Sequence, residues 1–372
     1  MEEQWLAERL QATDRKVQAE LQRLQGATPY IPYDGQYGDV VAERGSDWWT
    51  NGFWAGMLWQ LYHAKRHMPY KQAAILQEHR LDKALTHFGD IHHDVGFMWL
   101  LSAVAHYRVD QDAQARRTGL HAATLLAGRF NLAGGYLVAW NDHHPGWLIV
   151  DSMMNIQLLY WASRETGDPR FAQIATRHAD TVLATLVRAD GSLGHIASFD
   201  PQSGAFIEML GGQGFNADSA WSRGNAWAVY GFALTYQHTH EARFLDAACR
   251  AADYFIAHAQ ATDWLPLVDF AAPIGLAIHD SSAGLIAVCG LLALVPQVSA
   301  PLRARYQKAA EAMLMAIDAR YADWDLSEDG IIGGGTEAYH RPATYEVPLI
   351  YADYFYIEAL LKLQHRELPL WS

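Results

Sequence analysis

Helical periodicity runs almost unbroken through this chain, and the helices it predicts alternate between two kinds. Near 2–25, 70–87, 111–128, 168–187, 241–260 and 301–318, apolar residues recur at helical spacing beside a charged, Ala-rich face. Between them, near 53–67, 94–109, 151–166, 218–237, 281–294 and 346–363, the pattern is close to continuously apolar. A helix with a charged face lies against solvent, and one apolar on most sides is buried. Six outer–inner pairs in 372 residues give a repeat of roughly 62. The pattern predicts an all-α fold, an (α/α)6 barrel or toroid of six helical hairpins, as one domain over 1–372. An open α-solenoid is the alternative, but it would not bury the second helix of every pair so completely. One strand-like stretch, 194–199 followed by a Pro/Gly turn and 205–207, predicts a short hairpin.

Charge and composition narrow the function. The formal net charge is -13, with 28 Lys+Arg against 41 Asp+Glu and no basic run, which argues against nucleic acid and anionic membranes as partners. Cys249 and Cys289 both fall in apolar helical patterns, so no disulfide framework is expected. The N-terminal stretch is a charged amphipathic helix without a signal-peptide core, and no apolar run reaches transmembrane length. A soluble, cytoplasmic protein is expected.

The loops that lead into inner helices are the long ones, at 129–150, 188–217, 261–280 and 319–345. Long structured loops gathered on one face commonly carry function. The segments at the inner-helix starts are correspondingly rich in chemistry. They are Asp47-Trp48-Trp49-Thr50-Asn51, His92-His93-Asp94, Val150-Asp151-Ser152, the run from Gly212 to Trp227, His279-Asp280-Ser281, and Tyr345-Glu346-Val347.

Any one of these aspartates can be a helix cap. Asp280 reads as one, Asp218 is evenly balanced between a cap and a functional residue, and Asp151 taken alone would read as a cap too. Convergence changes the reading. A ring of helix starts carries partial positive charge and favours a carboxylate ligand. Arg223 adds a forked donor, either to the ligand or to a structural partner such as Asp218 or Asp94. Positions 223 and 227 share a helix face, so the guanidinium can lie on Trp227. Trp49, Trp54, Trp221 and Trp227 can supply flat walls, whereas Trp59, Trp99 and Trp161 lie deeper and read as core. Together these describe a pocket for an acidic sugar.

His92, His93, His143 and His144 form neighbouring pairs, but neither HExxH nor a Cys/His spacing occurs. No metal and no cofactor are expected. There is also no nucleophile elbow and no glycine-rich phosphate loop. Asp94 and Asp151 remain as the chemical carboxylates. Two such groups close together cannot both ionise easily, so one is expected to hold a proton beside a charged partner.

In sequence the chain resembles the unsaturated glucuronyl hydrolases, glycoside hydrolase family 88. The matching pieces are WTNGFWAGMLW at 49–59, HHDVGFMW at 92–99, VDSMMN at 150–155, GSLGHIASFDPQSG at 191–204, GQGFNADSAWSRGNAWAVYG at 212–231, DSSAG at 280–284 and YADYFYIEALLKL at 351–363. They run through nearly the whole chain. The resemblance implies an (α/α)6 barrel acting on oligosaccharides that polysaccharide lyases leave with a 4,5-unsaturated uronic acid at the non-reducing end. It implies Asp151 as general acid/base and Asp94 as the second essential acid. It puts His195, Gln213, Trp221, Arg223 and Trp227 in contact with substrate, together with Trp48 or Trp49 and His93. The related unsaturated rhamnogalacturonyl hydrolases are the neighbouring reading. His340 and Arg341 are the candidates for meeting a sulfate on the second sugar. A sugar epimerase on the same scaffold, or a helical-repeat binding protein whose aspartates only cap, are the rivals.

Overall fold

The computed structural model describes residues 3–87, 89, 91–141, 144–273, 275 and 277–372. The helices are α1 (Glu3–Leu24), α2 (Val40–Arg44), α3 (Asn51–Lys65), α4 (Met68–Leu81), α5 (Val95–Trp99), α6 (Ala105–Asp110), α7 (Ala113–Ala127) and α8 (Ser152–Asn155). They continue as α9 (Gln157–Thr166), α10 (Pro169–Thr185), α11 (Ser222–Thr239), α12 (Ala242–Gln260), α13 (Ser281–Leu294), α14 (Ala300–Tyr321) and α15 (Ile350–Leu363). Each of the twelve predicted helices has a counterpart. Two inner ones are interrupted, since α5 reaches α6 through a π-type turn at Leu100–Val104 and α8 is separated from α9 at Ile156. Such local irregularity gathers at functional positions. Two starts also shift, because the fourth inner helix begins at Ser222 rather than 218 and the sixth at Ile350 rather than 346.

The alternation of helix type is an alternation of depth. On α13 every residue except Leu292 is buried, and on α11 the stretch from Ser222 to Thr235 is entirely buried. The outer helices α10 and α12 bury one stripe each, such as Ala175, His178, Ala179 and Val182 on α10. The inner helices pack in succession: α3 on α5, α5 on α8 and α9, α8 on α11, α11 on α13, α13 on α15, and α15 on α3. One contiguous apolar core extends from Leu6 to Trp371. Among the described residues no helix is long and apolar enough to cross a membrane.

The predicted hairpin is present as β6 (Ile196–Phe199) and β7 (Phe206–Leu210), its turn held by Asp200 accepting from the N–H groups of Gln202 and Ser203. A third strand, β5 (Trp147–Ile149), pairs with β6 in antiparallel register, Ile149 opposite Ile196. Three residues are too few to show alternation, so sequence pattern missed it. Shorter two-residue pairs precede it, β1 (Pro32–Tyr33) with β2 (Gln36–Tyr37) and β3 (Phe130–Asn131) with β4 (Tyr136–Leu137).

α1 is fixed to the last long loop by a buried polar cluster. Glu20 accepts the Gly330 N–H, Asp353 accepts those of Ile331 and Ile332 and the Tyr37 hydroxyl, and Lys16 donates to the Asp325 carbonyl. Burial pushes the Asp353 carboxyl up to about 7, against the hydrogen bonds that favour its ionised form. Burial and the charge of Asp353 also push Glu20 well above the usual carboxylate range. Both groups gain proton affinity on folding. The stability they contribute is complete below the ordinary carboxylate pKa of about 4 and is lost as pH rises, through about 7 for Asp353 and through its own raised value for Glu20. Glu20→Gln keeps an acceptor for Gly330 and removes the buried charge. It should therefore raise the melting temperature at pH 8 and change it little at pH 5. A melting curve lowered equally at both pH values would refute this account.

Candidate active site

The starts of the inner helices open onto a cavity of about 650 Å³. Its lining includes Trp48, Trp49, His93, Asp94, Asp151, His195, Gln213 and Arg223. Eight of the ten residues singled out from sequence are thus brought together. Trp221 and Trp227 do not line the cavity. Trp227 is fully buried and packs on Phe97 and Phe355. One turn into a helix buried on all sides, its ring can only point into core. Trp221, the residue before α11, lies behind the wall, its ring 4.3 Å from that of His195 and 4.5 Å below the Arg223 guanidinium. Trp54, another expected wall, is buried in the core.

Asp94 and Asp151 occupy the residues just before α5 and α8, and neither carboxylate caps its helix. The capping reading therefore does not describe Asp151. The two helix starts are held against each other. A Cβ on Gly96 would lie 2.5 Å from the Asn155 backbone, so only glycine permits this approach, and the Phe97 N–H donates to Asn155 Oδ1 at 2.7 Å. This contact sets both aspartates on one rim, 6% and 8% exposed.

Their surroundings differ. Asp94 contacts His92 Nδ1 at 3.0 Å and His93 Nε2 at 3.2 Å. Burial acts to raise the Asp94 carboxyl, but the charge of His93 and hydrogen bonds from His92 and Asn155 outweigh it and hold its pKa below the usual value. Asp94 is therefore held in its ionised form. Burial pushes the His93 imidazole down, and Asp94 offsets part of that. His93 Nδ1 donates to the Ala139 carbonyl at 2.8 Å, which fixes the ring.

Asp151 faces His195 instead. The small sheet links them, because Val150 N–H donates to the His195 carbonyl. His195 Nδ1 accepts the Gln213 N–H at 2.9 Å and lies 3.2 Å from the Gly211 carbonyl; the tautomer that accepts from Gln213 carries its proton on Nε2. Gly212 makes this possible: its φ is +56, and a Cβ there would sit 2.1 Å from His195 Nδ1. His195 Nε2 and Asp151 Oδ2 lie 3.6 Å apart, and both are buried without a hydrogen-bond partner among the described residues. Buried polar atoms are normally paired. Two such atoms side by side in a cavity wall are placed to meet a polar ligand.

Arg223 is 1% exposed, and its partner is neither Asp218 nor Asp94. It donates to Asp280 Oδ2 at 2.5 Å and to the Thr336 and Glu337 carbonyls at 2.7 and 2.5 Å, and its guanidinium lies over Trp221 and Tyr351 rather than Trp227. Asp280 does cap α13 through the Ser282 N–H, and it also carries this ion pair. Asp218 is exposed in the turn before α11 and caps nothing, since that helix starts four residues later. Gln213 donates through Nε2 to the Glu337 carbonyl at 2.7 Å. Arg223 and Gln213 together fasten the loop that bears Glu337 across the cavity.

The sequence reading did not find Tyr30, Trp140, Trp147, Glu337 and Tyr351, which also line the cavity. Trp140 and Trp147 stand in the long 129–150 loop, where a Trp/His-rich run was the available signal. Their rings are 5.9 Å apart, with His144 stacked on Trp147 at 3.6 Å. His143 lies outside the described residues. Among those described, His92, His93 and Asp94 place one ligand atom each within 4.8 Å of one another, close enough for a metal ion.

Paired carboxylates, one ionised and one beside a histidine, with tryptophan faces around them, are the equipment of a glycosidase. Set on inner-helix starts, they define one of the mostly helical class. No protein-family model matches the chain. It is 36% identical over 332 residues to the unsaturated glucuronyl hydrolase of Bacillus sp. (strain GL1), covering 87% of this chain and 88% of that protein. It is 33% identical over 347 residues to the unsaturated chondroitin disaccharide hydrolase of Streptococcus pneumoniae, covering 89% and 86%. The crystal structure of the Bacillus sp. GL1 enzyme, described as responsible for degradation of glycosaminoglycan, superposes with a TM-score of 0.91 at 32% identity, covering 97% and 98% of the two chains. The chain belongs to the unsaturated glucuronyl hydrolases.

Proposed function

We propose that the chain is a single-domain (α/α)6 barrel that releases 4,5-unsaturated uronic acid from the non-reducing end of lyase-generated oligosaccharides. The closed succession of inner-helix contacts, ending with α15 on α3, supports the barrel. The observation that carries the chemistry is the unpaired couple of Asp151 Oδ2 and His195 Nε2.

The C4=C5 bond of such a sugar is a vinyl ether, because C5 bears the ring oxygen. Asp151 delivers a proton to C4, and the charge at C5 is shared with that oxygen. The Asp151 carboxylate then takes a proton from the water that attacks C5. The resulting hemiketal opens, and the C1 hemiacetal so exposed expels the next sugar. One carboxyl group serves both proton transfers, in contrast to the two flanking groups of ordinary glycosidases. Asp94 stays ionised beside it, oriented by His92 and His93, and offsets positive charge developing on the ring. His195 Nε2–H is positioned to donate to the substrate, while Trp49, Trp140 and Trp147 offer faces to the sugars.

Loss of the enoate ultraviolet absorbance of an unsaturated uronyl disaccharide tests this directly. Turnover is expected without added metal and unchanged in excess chelator. If the His92, His93 and Asp94 cluster instead holds a catalytic ion, chelation will abolish the rate and a divalent metal will restore it.

A further inference from the structure

The three residues that lead into α5 gather more ligating atoms in one spot than the proton transfers require. His92 Nδ1 lies 3.0 Å from Asp94 Oδ2, and His93 Nε2 lies 3.2 Å from Asp94 Oδ1. The far nitrogen of each ring is already committed to a backbone carbonyl, His92 Nε2 to Asp47 at 3.2 Å and His93 Nδ1 to Ala139 at 2.8 Å. A carbonyl only accepts, so each far nitrogen carries the proton of its neutral ring and each near nitrogen presents a lone pair. The Asp94 N–H points at His92 Nδ1 from 3.4 Å, which fits that assignment. Two lone pairs and a carboxylate thus converge where a positive charge belongs. A second proton on either ring can fill the gap, and so can a metal ion.

The spacing suits Zn²⁺. Bonds of about 2.0–2.1 Å to nitrogen and oxygen put neighbouring corners of a tetrahedron roughly 3.3 Å apart. Both His–Asp distances are close to that edge, and the three ligand atoms all lie within 4.8 Å of one another. Metal-binding histidines characteristically donate their other N–H to a carbonyl or carboxylate, which fixes the tautomer and the ring, and both rings here do so. His92, His93 and Asp94 all line the cavity, which leaves any further coordination position to water or a ligand there. Resting on the hydrolase reading above, we propose that His92 Nδ1, His93 Nε2 and the Asp94 carboxylate form a reversible inhibitory site for a borderline-soft divalent ion such as Zn²⁺. The bound ion takes up the negative charge that Asp94 otherwise sets against the charge developing on the sugar ring, and it adds positive charge of its own. The metal-free enzyme is the active form. Mg²⁺, which prefers an octahedron of oxygens, finds a single carboxylate here and is a poor occupant.

The test titrates chelator-stripped protein with Co²⁺ as a visible probe and then with Zn²⁺. A single ion per chain is expected, with the intense cobalt bands of a low-coordinate site, erased by Zn²⁺ and not by Mg²⁺. Turnover of an unsaturated uronyl disaccharide should fall at least about tenfold as zinc fills the site, with the same midpoint as the spectrum, and return when chelator is added. His92→Ala should bind zinc at least about tenfold more weakly, and its remaining turnover should resist zinc to the same degree. His92→Gln gives the same readout if the alanine variant does not fold. Zinc that binds the parent no more tightly than these variants, or that fills the site without slowing turnover, overturns the inference and leaves the hydrolase reading standing. A requirement for zinc in turnover overturns it too, because the ion is then part of the catalyst. Absence of turnover by the metal-free and the metal-loaded protein alike overturns the hydrolase reading, and the inhibitory role with it.

Discussion

Asp151→Asn is expected to fold as the parent does and to lose about 10²–10⁴-fold or more in kcat, the scale of a general acid–base group. The two halves of this expectation come from the same geometry. Asp151 precedes α8 but accepts no helix N–H, and among the described residues its Oδ2 has no hydrogen-bond partner, only His195 Nε2 at 3.6 Å. Little stability therefore depends on its charge. Its chemistry is another matter, because an amide can neither deliver a proton to C4 nor take one from water. The melting temperature and kcat should be measured on one preparation. Turnover within a few-fold of the parent would remove Asp151 from the proton transfers and shift attention to His195.

Arg223→Ala is the largest expected loss of stability. Asp280 is completely buried, and the guanidinium is its cationic partner. Removing one member of a buried pair leaves an uncompensated charge, at a cost of about 3–5 kcal/mol. The carbonyls of Thr336 and Glu337 lose their donor at the same time, so the loop over the cavity loosens and KM should rise. Since both terminal nitrogens of Arg223 are bonded within the protein, its effect on substrate is expected to run through that loop. Adding Asp280→Ala should recover part of the stability, because the orphaned charge is gone, yet leave KM high. If the double variant regains the parent KM, the loop is not the route. If Arg223→Ala melts like the parent, the pair contributes no net stability.

Much of the fold was readable from pattern alone. An inner helix such as α13, apolar on every side, has one stable place, and the alternation with charged partners such as α12 implies two layers. The aspartates at the helix starts were readable for a related reason, since a carboxylate at the head of an apolar segment needs either a cap or a function to account for it. Local pattern could not separate those two outcomes. Asp280 caps, Asp218 does neither, and Asp94 and Asp151 point into the cavity, a choice made by side-chain direction and by neighbours tens of residues away.

The same limit explains the residues that were misplaced or missed. Helical spacing correctly put positions 223 and 227 on adjacent turns, but which turn meets the cavity depends on how deeply α11 sits in the core, and Trp227 lies below the floor. Glu337 and Trp140 belong to loops without periodicity, so nothing local announces them, and they reach the site only because Arg223, Gln213 and Ala139 fasten those loops there. By itself the sequence determined the helices, their two depths and the set of acidic and aromatic residues at the inner-helix starts, because burial and periodicity are local properties of a chain. Only the tertiary structure decided which carboxylate is held ionised, which is left beside a histidine nitrogen without a hydrogen-bond partner among the described residues, and which cation at the mouth sits against a carboxylate. Asp151 meets His195, 44 positions away, at 3.6 Å, and even where the partners are sequence neighbours, as His92 and His93 are to Asp94 and Glu337 is to Arg341, the fold decides whether their side chains converge at 3–4 Å.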